Sequence, residues 1–135
     1  MNWTDLVKNP KAISHLYSQV PPLRSMEAVM IRIDRDGPTF SIDLDFPQYA
    51  DHVPTRWHPD WNTVAIQLDF SGLRDLSIKG ASTNPVLNFS IEKLGDELKI
   101  TANDADIRIE FVCDSIYIQK VTGYMNTERS STAIS

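Results

Sequence analysis

One cysteine in 135 residues excludes an internal disulfide framework and a cysteine-rich zinc module. Cys113 falls on the apolar side of an alternating run, where a small core residue is expected rather than a nucleophile. Five glycines leave little room for a phosphate-cradling loop, and no such motif or nucleophile elbow occurs. No apolar run reaches the length of a membrane span. Basic residues are in deficit, 13 against 18 acidic, for a net charge of -5 and a pI near 5.0. That balance has no electrostatic footprint for a phosphate backbone or an anionic bilayer, so neither nucleic acid nor membrane is an expected partner. The opening residues Met1, Asn2, Trp3, Thr4 and Asp5 lack the basic-then-apolar layout of a secretion signal, and a cytoplasmic location is the expectation.

What is present reads as a single domain over residues 1–125, with a Ser/Thr-rich flexible tail at 126–135. Residues 1–24 carry a helical segment. Asn9-Pro10 looks like a cap followed by proline in the first turn, Ile13, Leu16 and Tyr17 recur at helical spacing, and Pro21-Pro22 ends the pattern. From residue 25 to 122 the period is two. Val29, Ile31 and Ile33 alternate with polar residues up to Asp36-Gly37, and Phe40, Ile42 and Leu44 alternate after it. A two-residue turn there pairs Ile33 with Phe40, Ile31 with Ile42 and Val29 with Leu44, keeping one apolar face.

The same parity argument organises the rest. Val64, Ile66, Leu68 and Phe70 form a strand, and a three-residue turn Ser71-Gly72-Leu73 sets Leu68 opposite Leu76 and Ile66 opposite Ile78. Strands near 86–94, 97–102, 105–113 and 116–122 read as an antiparallel meander. Its turns pair Ile91 with Ile100, Ile100 with Ile107, Leu98 with Ile109, and Cys113 with Ile116. The expected class is α+β, predominantly β: about eight mostly antiparallel strands in a meander-rich curved sheet, with one or two short N-terminal helices.

Two features carry chemistry. Asp43 and Asp45 point outward from one strand and Asp69 from another, within a stretch, 25–79, that holds five basic and nine acidic side chains. If those strands are neighbours, three carboxylates form a patch suited to a basic protein partner; otherwise they are a solvated outer face. The long connection 47–61 holds Pro47, Pro54 and Pro59 with Tyr49, Trp57 and Trp61. Long connections of this kind tend to be functional, and Trp57 and Trp61 are candidate anchors at the edge of the patch, with core packing as the alternative. A weaker alternative is a small enzyme or zinc site built from His52, His58 and Asp60, on a proline-broken loop without ligand spacing. No catalytic residue, metal or cofactor is assigned.

Trp3, Asn9-Pro10, Ile13-Ser14-His15-Leu16-Tyr17, Pro22-Leu23, Trp57, Val64-Ala65-Ile66-Gln67-Leu68-Asp69-Phe70 and Gly123-Tyr124 occur in that order. With these features, the chain over about residues 3–124 resembles the immunity protein 50 family of bacterial polymorphic-toxin systems. The resemblance implies a small, non-enzymatic cytoplasmic protein that binds a cognate toxin domain stoichiometrically and neutralises it. It carries over no contact residues. A β module that binds a small apolar ligand is the alternative from the residues alone.

Overall fold

The structure, a computed structural model, describes residues 2–83 and 85–129. A 3-10 turn at Trp3–Leu6 and a short helix, α1 (Lys11–Ser14), precede eight strands. These are β1 (Met26–Asp34), β2 (Thr39–Asp45), β3 (Thr63–Ser71), β4 (Arg74–Gly80), β5 (Val86–Leu94), β6 (Glu97–Asn103), β7 (Ile107–Cys113) and β8 (Ser115–Tyr124). They form one open sheet in the order β4-β7-β6-β5-β1-β2-β3-β8, and each strand pairing is antiparallel. The sheet curls so that its apolar face closes on itself. Phe111 of β7 lies 4.7 Å from Phe40 of β2 and 5.1 Å from Phe70 of β3, ring centre to ring centre. Ile42, Ile100 and Ile109 are buried and Ile31 is partly buried, as alternation requires of a one-faced sheet.

Two hairpins hold the expected register: Ile33 faces Phe40, Ile31 faces Ile42, and Ile91 faces Ile100. Elsewhere the pairings differ. A bulge at Val29 sets Ala28, not Val29, opposite Leu44, and leaves Val29 55% exposed. The β6–β7 turn is longer than two residues, because the Asp104 carboxylate accepts from the backbone of Asp106 (2.7 Å) and Ile107 (2.9 Å). Ile100 therefore faces Phe111 and Ala102 faces Ile109; the shift is even, so the apolar face survives.

The hairpins expected at Ser71-Gly72-Leu73 and at Asp114-Ser115 do not form. Instead β3 runs on into β4 and β7 into β8, and the two runs pair with each other along their length. Ser71 faces Ser115 in one half and Arg74 faces Val112 in the next. This long ribbon bends at Gly72, whose φ is +73°, beside Asp114. The bend is clasped: Asp114 N–H donates to the Ser71 carbonyl (2.8 Å), and Arg74 pairs with Asp114 (2.9 Å) and Glu97 (3.1 Å).

The N-terminal segment closes the β8 edge. Val7 bridges Ile116 in parallel, and Lys8 N–H donates to the Ile116 carbonyl (2.9 Å). Asn9 is not the helix cap; Pro10 occupies that place. The Asn9 amide acts as a substitute peptide group. Its Nδ2 donates to the Ile118 carbonyl and its Oδ1 accepts from Ile118 N–H, both at 2.8 Å. Ile13, Leu16 and Tyr17 then bury against the sheet's apolar side, with the Tyr17 ring 5.7 Å from Phe46. The connection 47–61 is tied to this layer: Asp51 and His52 N–H both donate to the Leu16 carbonyl (2.9 and 3.0 Å). At the other end of the chain, Asn126 exchanges hydrogen bonds with Asn62, and Arg129 Nη1 donates to the Phe46 carbonyl (2.8 Å). Residues 130–135 of the expected tail lie outside the described residues.

Candidate binding cleft

The outer face of β2, β3 and β8 brings the candidate carboxylates into one row. Asp43 faces Gln67, Asp45 faces Ala65 and Ser41 faces Asp69 across the β2–β3 ladder. On the far side of β3, Lys120 faces Gln67 and Thr122 faces Ala65. A cleft of about 290 Å³ lies over this surface, walled by Asp43, Asp45, Gln67, Lys120, Thr122 and Tyr124, with Val29 at its rim. The β1 bulge is what turns Val29 toward it.

The three carboxylates share a face, but they are not one exposed patch. Asp45 is only 2% exposed, because the Tyr124 hydroxyl covers it and donates a hydrogen bond to it. Burial raises its pKa above the usual carboxylate value; the Tyr124 bond and the Arg129 charge oppose the rise, and Asp43 adds to it. Tyr124 is pushed up to about 12, by burial first and then by its carboxylate partner. Asp69 is wrapped by neutral donors: Ser41 Oγ (2.8 Å), Gln67 Nε2 (3.3 Å) and Gln119 Nε2 (3.0 Å). Asp43 differs from both. It stands in the cleft wall, half-buried, and its Oδ1 is out of solvent with no hydrogen-bond partner among the described residues. Of the three, it has the most to gain from an incoming donor.

The tryptophans lie elsewhere. Trp57 is 9% exposed and stacks over Gly123, where an added Cβ would come within 2.5 Å of its ring. Gly123 faces Val64, a fully buried core residue, so Trp57 covers the opposite face of β8 from Tyr124. Trp61 is half-buried and leans on Trp57, with ring centres 6.0 Å apart. Neither borders the cleft; the pair belongs to the core and its margin. Tyr124, Thr122 and Lys120 are the cleft residues that pattern reading passed over. Their trace is the alternation Lys120, Thr122, Tyr124 against Val121 and Gly123 at the end of β8.

Of the residues of the enzyme alternative, His58 and Asp60 come together within one turn, Nδ1 to Oδ2 3.8 Å, and His52 is engaged elsewhere. His52 Nε2 sits 3.0 Å from Ser18 Oγ, and His58 Nδ1 accepts from the N–H of Asp60 (3.1 Å) within its own turn. Among the described residues no group of three or more His, Cys, Asp or Glu is placed to hold a metal ion. Cys113 is buried, and burial pushes its thiol up to about 11, so it stays protonated. No helix among the described residues is long and apolar enough to cross a membrane.

Fold and cleft together define a small, curled antiparallel-sheet protein with a recessed acidic cleft on its outer face. Residues 9–124 match the family model described as Immunity protein 50, and the chain belongs to that family. The match begins at Asn9, which pairs with β8, and ends at Tyr124, which covers Asp45. Comparisons with curated proteins and with solved structures returned no match.

Proposed function

We propose that the protein neutralises a cognate toxin domain by stoichiometric binding, in the cytoplasm of the cell that makes the toxin. The observation that carries this reading is the family match across residues 9–124, which spans the whole sheet. The cleft supplies a plausible chemistry of contact. A Lys or Arg of the toxin entering it meets Asp43 Oδ1, which lacks a partner among the described residues, with the Asp45 carboxyl recessed behind. Lys120 also lines the cleft and repels an incoming cation, a cost that the paired hydrogen bonds of a guanidinium to a carboxylate offset better than an ammonium does. Asp69, already supplied with donors, adds long-range attraction, and no anchoring role remains for Trp57.

The test is co-purification of the protein with the toxin domain encoded beside it, followed by association kinetics at several salt concentrations. A one-to-one complex and rescue of cells expressing the toxin are expected. Asp43→Asn should slow association about tenfold at low salt and flatten its salt dependence, with the fold intact. Failure of the wild-type protein to bind or protect against that toxin would sink the reading. Unchanged association by Asp43→Asn would remove the cleft from it and leave the inhibitor role standing.

A further inference from the structure

Four strands leave an edge at which another strand can add, and they are protected differently; that of β5 is held beyond Leu87 by Phe89 N–H, which donates to the Leu23 carbonyl (2.9 Å). The β8 edge is covered at Ile116 and Ile118 by Val7, Lys8 and Asn9. The β4 edge is broken: Asp75 has φ +53°, and the ladder to β7 shifts between Arg74 and Ser77. A strand bent this way makes a poor template for another chain. β1 has no such protection beyond its bulge. It pairs with β2 from Glu27 to Asp34, but with β5 only at Met26 and Glu27, and its last bond on that side runs from Ala28 N–H to the Pro85 carbonyl (2.8 Å). From Met30 to Asp34 the edge turned away from β2 has no backbone partner among the described residues. Met30 and Ile33 on it are 49% and 46% exposed. An unpaired row of peptide groups flanked by exposed apolar side chains is what an added strand pairs with.

The charges on this edge select the strand. Arg32 and Asp34 lie two residues apart on one face of β1, and neither is in an ion pair among the described residues. Arg32 reaches only the Met30 sulfur (3.2 Å), and Asp34 accepts only the Asp36 N–H (3.0 Å). In a two-fold antiparallel pairing centred on Ile33, Arg32 stands opposite Asp34 of a second copy, and Asp34 opposite its Arg32. Ile33 then meets its own counterpart. Centring on Arg32 or on Asp34 sets like charges face to face, and centring on Ile31 sets Arg32 against Met30. The Ile33 register also carries the second copy's Gly37-Pro38 tip to the notch of about 220 Å³ lined by Ala28, Val29, Met30, Ala81 and Pro85. We propose that a second copy of this chain adds along β1 in this register, joining the two curled sheets through a pair of Arg32–Asp34 contacts.

Sedimentation equilibrium over a range of concentrations, with charge reversals, tests this. The wild-type protein is expected to dimerise. Arg32→Asp and Asp34→Arg should each weaken the dimer by about tenfold or more, since each turns both contacts repulsive. An equimolar mixture of the two variants, and separately the double variant, should regain wild-type association, because each restores opposite charges across the axis. Both side chains are exposed, and circular dichroism checks that the variants keep the fold. A wild-type protein that is monomeric up to its solubility limit overturns the proposal, as do single reversals that leave the dimer unchanged. Loss of toxin binding by Arg32→Asp in a monomeric protein would also overturn it, and would give the β1 edge to the toxin.

Discussion

At Asp45 a carboxylate is held out of water beneath a tyrosine, and the sign of its effect on stability follows from its raised pKa. The folded state holds the Asp45 proton more tightly than the unfolded chain does. Its contribution is therefore greatest with the carboxyl protonated and is lost as pH rises from about the ordinary value of 3.8 through the raised one. Asp45→Asn keeps an acceptor for the Tyr124 hydroxyl and cannot ionise, so thermal melts across pH should show a smaller loss of stability as pH rises than the wild type does. Tyr124→Phe does the opposite: it strips the donor from a buried carboxylate and should cost about 1–3 kcal/mol by denaturant titration. Trp57→Ala empties a core site over Gly123 and should cost about 3–5 kcal/mol. Under conditions where that variant remains folded, its toxin affinity should equal that of the wild type.

Among the elements, the bent ribbon and the covered edge decide the architecture. Gly72→Ala drives a Cβ into the Asp114 carboxylate and forces a side chain into the left-handed region, so the Arg74–Asp114 clasp must open. A loss of about 1–3 kcal/mol is expected, with faster amide exchange where β3 meets β4 and β7 meets β8. Asn9→Ala removes both 2.8 Å bonds to Ile118 and leaves that stretch of β8 without its substitute strand. It should cost about 1–3 kcal/mol and expose the Ile118 amide to exchange, whereas Asn9→Asp, retaining only the acceptor, should fall between.

For the molecule as a whole, the buried Tyr17 and the half-buried Tyr124 make stability fall at alkaline pH. Tyr124 is raised to about 12, and burial lifts Tyr17 further still, while both ionise near 10 in the unfolded chain. Stability present below pH 10 is therefore lost as pH rises toward 12. The slope of stability against pH in that window should be shallower in Tyr124→Phe. The same burial ties function to fold. Tyr17, whose hydroxyl donates to the Gln48 carbonyl (2.7 Å), anchors the connection carrying Trp57, and Trp57 packs on the reverse of the strand that walls the cleft.

Alternation in the sequence determined which residues form strands and, outside the bulge at Val29, which face each turns inward, because side chains on a strand alternate with period two whatever strand lies beside it. The β1–β2 register from Ile31 to Phe40 and the β5–β6 register were legible from the same parity, because Asp36-Gly37 and Gly95-Asp96 close tight turns between the alternating runs; the bulge at Val29 was not. Parity also placed Asp43, Asp45 and Asp69 on one face. What alternation cannot encode is which strand lies beside which. A pattern with the right parity fits a hairpin at Gly72 as well as a bend through it, and the bend is the arrangement in which β3 pairs with β8 and β4 with β7, clasped by Asp114 with Ser71 and Arg74. Burial at the cleft was likewise decided by the tertiary structure. Asp45 and Asp43 occupy equivalent positions along β2, yet Tyr124 reaches one and not the other, from a strand 79 residues away in the chain. Trp57 went to the core because Gly123 leaves a ring-sized opening on β8, a fit that depends on two distant residues meeting and so has no signature in either local pattern.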